Sequence, residues 1–180
     1  MNLIITGKVA SGKSEVLNIL KECGFSILDA DKVVHQLYTR GEKGYKNISK
    51  YIGRKYCNPF EVDRKLLLKD LVDQKISIET VEDVVLPFVY EKINKINSRS
   101  KNTAIEIVNP DMDKIDLPID NVIWIDRRRS KIHKVMKNRG YSDKEFEYLY
   151  GLAKRPNKSI LVENNARQID LKRIITRLIK

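Results

Sequence analysis

The residues with chemistry to offer begin at Gly7. From there the chain reads Gly7-Lys8-Val9-Ala10-Ser11-Gly12-Lys13-Ser14, which fits the spacing G-x-x-x-x-G-K-[ST] at every fixed position. Such a loop can cradle a chain of phosphates. Gly7 and Gly12 let the backbone turn so that successive N–H groups point inward. A helix opening directly after the loop adds partial positive charge. Lys13 can reach the β- and γ-phosphates as a point charge. The Ser14 hydroxyl can ligate Mg²⁺, which bridges phosphate oxygens. Val9, Ala10 and Ser11 complete the loop, and Glu15 follows in the first helical turn. Together these residues form the candidate nucleotide-binding set, with Ser14 as the candidate metal ligand. Glu15 suits the helix dipole but brings negative charge near the phosphates, and its orientation stays open. The competing reading is a Gly-rich connection with an incidental lysine. Context argues for the cradle: an apolar run, "NLIIT", precedes it and an amphipathic stretch, "KSEVLNILKECG", follows.

A phosphate cradle alone means nucleotide. Phosphoryl transfer also needs a group that orients the acceptor hydroxyl and takes its proton. Asp29-Ala30-Asp31 follows the second apolar run, "FSIL". Asp29 is placed to cap the next helix, and Asp31 then stands in its first turn with its side chain free. By position alone, both could be ordinary helix-start residues. A third group is basic. Asp126 ends the run "NVIWID" and Arg127-Arg128-Arg129 follow it, and Arg139 and Arg155 flank the next helix. Arginines so placed could close over a transferring phosphoryl group; a solvated basic face is the alternative.

These residues need a frame. Apolar runs at "NLIIT", "FSIL", "NTAIEIVN", "NVIWID" and "SILVEN" read as strands separated by helical stretches. Strands alternating with helices imply right-handed βαβ crossovers, hence an α/β fold with a parallel central sheet of about five strands. Ligands in such sheets sit at the carboxyl ends of the strands, where the opening loop lies. The helix after Asp29 should close near Gly41. The stretch "GYKNISKYIGRKYCNPF" is basic, aromatic and ambiguous, and amphipathic packing is favoured over nucleic-acid stacking. Thr80 and Asp83 form a capping-box pattern, and Pro87 should kink or restart that helix. Ser142 and Glu145 form a second capping box. Trp124 belongs to the core, and His35 and His133 to the surface.

With 42% hydrophobic residues among 180, the chain can bury a core as one domain. Net charge is +11, from 35 basic and 24 acidic residues, spread along the chain. That favours polyanionic partners, phosphate-rich small molecules among them. Cys23 and Cys57 are isolated, without metal-ligand spacing, so reduced thiols in a cytoplasmic protein are expected. No apolar run reaches the ~20 residues of a membrane span, and no secretory signal is read at the start.

The segment "ITGKVASGKSEVLNILKECGFSILDADKVVHQLY" resembles the N-terminus of dephospho-CoA kinases, which combine a P-loop, a helix ending in Gly, a short strand and Asp-Ala-Asp at this spacing. Later stretches are similar more loosely: "VDRKLLLKDLV", "LPFVYEKI", "GYSDKEFEYL" and "LVENN". The resemblance implies a three-layer P-loop NTPase fold. Residues 63–98 would form a helical substrate-side subdomain and residues 127–157 a lid. It implies ATP-dependent phosphorylation of the ribose 3′-hydroxyl of dephospho-CoA, with Asp31 as catalytic base. Lys13 would be catalytic and phosphate-binding, Arg139 and Arg155 would meet the nucleotide from the lid, and Mg²⁺ and ATP would be the cofactors. The partners would be small molecules, ATP and dephospho-CoA, with neither membrane nor nucleic acid; oligomeric state stays open. The chain departs from the family pattern at Leu86-Pro87, where the family has His-Pro, and at "EIVNPDMDK", where it has Asp-x-Pro-Leu-Leu. Another small-molecule P-loop kinase, such as a nucleoside or deoxynucleoside monophosphate kinase, is the nearest alternative. A non-catalytic nucleotide- or nucleic-acid-binding protein is a further one.

Overall fold

The computed structural model describes residues 1–96, 102–165 and 168–180. In chain order the elements are β1 (Asn2–Gly7), α1 (Lys13–Glu22), β2 (Ser26–Asp29), α2 (Ala30–Leu37), α3 (Lys43–Asn47), α4 (Arg64–Val72) and α5 (Ile78–Asn94). Then come β3 (Thr103–Glu106), β4 (Asn121–Asp126), α6 (Arg129–Asn138), α7 (Asp143–Leu152), β5 (Ile160–Glu163) and α8 (Gln168–Leu178). The chain divides into two compact units: Met1–Asp29 with Asn97–Lys180, and Ala30–Ile96.

Leu3, Ile4 and Ile5 are all buried, so β1 is covered on both faces, as a central parallel strand must be. The sheet runs β2-β3-β1-β4-β5, and every pairing is parallel. All five carboxyl ends therefore share one edge. On one face, Leu3 and Ile5 of β1 and Ile123 and Ile125 of β4 pack with Val16 and Leu20 of α1 and Leu171 and Ile175 of α8. Trp124 is buried, as its strand position predicts. A separate apolar cluster joins α6 and α7: Ile132, Met136 and Phe146, with Tyr141, Leu149 and Tyr150 packed against them. Ser142 caps α7 with a complete capping box to Glu145. The hydroxyl and amide of Ser142 hold the Glu145 carboxyl below its ordinary value. His133, read as a surface residue, reaches Asp143 at 2.7 Å and lies edge-on to Phe146 at 4.7 Å.

In the helical unit, α2 ends at Leu37, short of Gly41. The backbone turns away because Arg40 N–H donates to the Phe60 carbonyl and Thr39 bridges Glu61. The ambiguous basic–aromatic stretch is α3, a wider helical turn over Ile48–Ile52 and a 3₁₀ turn over Arg54–Tyr56, with Ile48 and Tyr56 fully buried. The capping pattern at Thr80 and Asp83 is not the helix start. Ser77, in extended conformation, accepts from the Thr80 N–H at 3.2 Å, so α5 opens at Ile78. Nor does the helix restart at Pro87, which lies inside α5. Proline removes one ladder bond there, and the Val84 carbonyl nearby takes a donor from Asn47 Nδ2 at 3.2 Å.

Candidate active site

The phosphate loop joins β1 to α1 at the carboxyl edge of the sheet. Its two glycines are there for different steric reasons. Gly7 has φ 147°, and a Cβ on it would come within 2.3 Å of the Ile125 carbonyl on the neighbouring strand. Gly12 has φ 103°, and a Cβ there would strike Asn164 Nδ2 at 2.1 Å. Ala10 also takes a positive φ of 52°, a strained conformation for a residue with a Cβ. Gly12 is the N-cap of α1 without any side-chain cap, so the Lys13 and Ser14 amides at the head of the helix have no intrahelical acceptor. Ser11 N–H donates back to the Lys8 carbonyl at 3.3 Å, and Glu15 and Val16 donate to the Gly12 carbonyl.

Lys13 is only 7% exposed. Its ammonium donates to the Gly7 and Lys8 carbonyls at 3.3 and 3.2 Å and stands 3.6 Å from Glu106 Oε1. Those bonds lie at the long end of the N–H···O range, and the carboxylate lies beyond it. The cation is thus aimed along the loop while holding no short partner. Glu106 ends β3 and pairs in register with Ile5 of β1 and Asp29 of β2. It is 4% exposed. The sequence reading passed it over; the signal was a carboxylate inside the otherwise apolar run "TAIEIV".

Asn164, also unforeseen, is 6% exposed just past β5. Its Nδ2 donates to the Ser11 carbonyl at 3.0 Å and lies 3.4 Å from Glu15 Oε2. That answers the question of Glu15: its carboxylate turns toward Asn164, and its amide is used within the loop. Ser14 is exposed at the head of α1. Ser11 Oγ and Thr6 Oγ1 are buried without a hydrogen-bond partner among the described residues.

Val9 and Ala10 pack against the cluster between α6 and α7, so the loop's apolar side chains are fixed from the hairpin. Asp31 stands exposed in the first turn of α2, as expected, and no described residue partners it. Asp29 closes β2 and Ala30 opens α2 with no residue between them. Arg139 is exposed at the end of α6. Arg155 is tied locally, donating to Ser159 Oγ at 3.1 Å and to the Ser159 carbonyl at 3.2 Å. Arg129 pairs with Glu147 and lies over the Phe146 and Tyr150 rings. Among the described residues, no group of three His, Cys, Asp or Glu side chains could hold a metal alone. Ser14, exposed at the head of α1, has the hydroxyl that could ligate a magnesium ion beside phosphate oxygens and water.

The family model for dephospho-CoA kinase matches residues 1–150. The chain belongs to the dephospho-CoA kinase family. It is 27% identical to a dephospho-CoA kinase of Streptococcus agalactiae, over 93% of this chain and 92% of that one. It is 25% identical to one of Arabidopsis thaliana, over 93% of this chain and 77% of the other. Among solved structures, one from Thermus thermophilus superposes with TM-score 0.75 at 20% identity, covering 99% of this chain and 96% of its own. A dephospho-CoA kinase from Campylobacter jejuni superposes with TM-score 0.58 at 18% identity, covering 99% and 94%. The fold is that of P-loop kinases, and the family's chemistry is kinase chemistry.

Proposed function

We propose that this chain transfers the γ-phosphoryl group of ATP to the ribose 3′-hydroxyl of dephospho-CoA, giving CoA, the last step of CoA synthesis. The observation that carries this reading is the loop of open amides around a buried, loosely held Lys13, in a chain matched by the family model over residues 1–150. The open amides of Lys13 and Ser14 hold phosphate oxygens, and Lys13 Nζ leaves its carbonyls to meet the transferring group. Asp31 orients the acceptor hydroxyl and takes its proton. Ser14 holds Mg²⁺, which when bound neutralises charge between the phosphates. Arg139 and Arg155 meet the nucleotide from a lid over residues 127–157, and the helical segment of residues 63–98 receives the acceptor. The work is positioning and charge neutralisation.

The reading places the enzyme in the cytoplasm with small-molecule partners. Among the described residues no helix is long and apolar enough to cross a membrane. A product assay with ATP, Mg²⁺ and dephospho-CoA tests it, run beside a panel of nucleoside monophosphates. Formation of CoA supports the proposal. Transfer to a nucleoside monophosphate in preference would establish the second reading, which Leu86 before Pro87 motivates.

A further inference from the structure

Lys8, the second residue of the phosphate loop, directs its ammonium to the end of α7. Its ammonium donates to the Tyr150 carbonyl at 2.9 Å and to the Ala153 carbonyl at 3.1 Å, and it sits 4.3 Å over the Tyr150 ring. These carbonyls belong to the end of α7. That end has no closing turn of its own: Ala153 is extended, with φ −78° and ψ 128°. A cation there meets the negative end of the helix dipole. The carbonyl between these two, that of Leu152, accepts from Asn109 Nδ2 at 2.8 Å, and Asn109 Oδ1 accepts from Lys154 N–H at 2.8 Å. Asn109 lies three residues past Glu106 with φ 49°.

The contacts close a ring. The loop reaches β3 through Lys13 and Glu106, the β3 exit reaches α7 through Asn109, and α7 returns to the loop through Lys8. Lys8 is engaged at both ends, because its own carbonyl accepts from Lys13 Nζ at 3.2 Å and from Ser11 N–H at 3.3 Å. Val9 and Ala10 add apolar contact to the same hairpin.

We propose that Lys8 is a positioning residue that fastens the phosphate loop to the C-terminal end of α7, so that the α6–α7 hairpin sets where Lys13 points. The proposal deepens the kinase reading and rests on it for its effect on turnover. Its other readouts stand without an acceptor.

The test compares wild type with Lys8→Met, which keeps the apolar stem, and Lys8→Arg, whose fork of donors can span two carbonyls. Asn109→Gly removes the second clamp and keeps the positive φ. For Lys8→Met, the expected results are a kcat lowered about ten- to hundredfold, an unchanged ratio of ATP to ADP affinity, and faster amide exchange over residues 150–154. Lys8→Arg restores much of both turnover and protection. Asn109→Gly raises exchange over the same segment. An ATP preference lost in Lys8→Met would overturn the proposal and make Lys8 a phosphate ligand. Wild-type turnover and exchange in Lys8→Met would overturn it equally. If wild type fails to convert dephospho-CoA, the acceptor reading falls, while nucleotide affinity and amide exchange still decide for or against the fastening.

Discussion

Asp70 and Lys13 are both almost sealed from water, and their surroundings differ in kind. Asp70, 2% exposed in the helical unit, accepts from Lys55 Nζ at 2.6 Å, Tyr56 Oη at 2.9 Å and Lys75 Nζ at 3.0 Å. Both carboxylate oxygens are met by short donors. Lys13, 7% exposed in the sheet unit, has two carbonyls beyond 3.1 Å and a carboxylate farther still. A saturated buried charge holds a fold together, and an under-satisfied one beside open amides is poised for a ligand. Asp31, exposed and without a partner among the described residues, is hydrated rather than sealed, and is the proposed base of the same reaction.

The comparison can be broken by measurement, most forcefully at Asp31. Asp31→Asn keeps shape and removes the proposed base, so kcat should fall about 10²–10⁴-fold with ATP affinity preserved. Single-turnover kinetics with a nucleotide titration would read both, and near-normal turnover would remove Asp31 as the proposed base. Lys13→Ala should lower kcat about 10²–10³-fold and weaken ATP binding as well. If only the melting temperature moved, Lys13 would belong with Asp70.

Asp70→Asn should do the reverse, lowering the melting temperature while kcat at 25 °C stays within about twofold. The pH dependence sharpens this. The ammonium groups of Lys55 and Lys75, with the Tyr56 hydroxyl, hold the Asp70 carboxyl well below the usual carboxylate range. Its folded-state pKa is depressed, so its stabilisation is complete above the unfolded value of about 3.9 and is lost as pH falls below that. Acid unfolding of Asp70→Asn should lack this component, which melts between pH 2 and 6 would show. The smallest expected effect is at Ser142. Ser142→Ala removes one half of the α7 capping box and should lower stability by about 1 kcal/mol, with nucleotide binding unaltered.

Much of this division was legible in the chain. The loop declares itself because its chemistry needs fixed residue types at fixed spacing, and the five strands follow from apolar runs too short for helices. The place of Asp31 in the first turn of α2 could be read because a strand end is followed by Asp-Ala-Asp. Glu106 and Asn164 were harder. Each acts on the loop from strands distant in sequence, and only the parallel register brings Glu106 beside Ile5. Lys8 gave no signal at all, since its partners are main-chain carbonyls that any residue supplies. The start of α5 was misplaced by one turn because two cap-competent residues, Ser77 and Thr80, compete, and local pattern does not rank them. Pro87 was overrated as a breaker, since a long helix with buried Val81, Val85 and Val89 tolerates one missing bond.

The strand order has a bearing on how the molecule comes into being. β1 is flanked by β3 and β4, whose first residues, Thr103 and Asn121, lie about a hundred positions downstream. A growing polypeptide thus carries its middle strand with both flanks bare until late in synthesis, whereas Ala30–Ile96 is continuous and needs no distant segment. Assembly of the sheet is governed by long-range closure, the slow and aggregation-exposed kind of step. Truncations ending before β4 should collect as insoluble material, and translation pauses ahead of Asn121 would be the vulnerable interval.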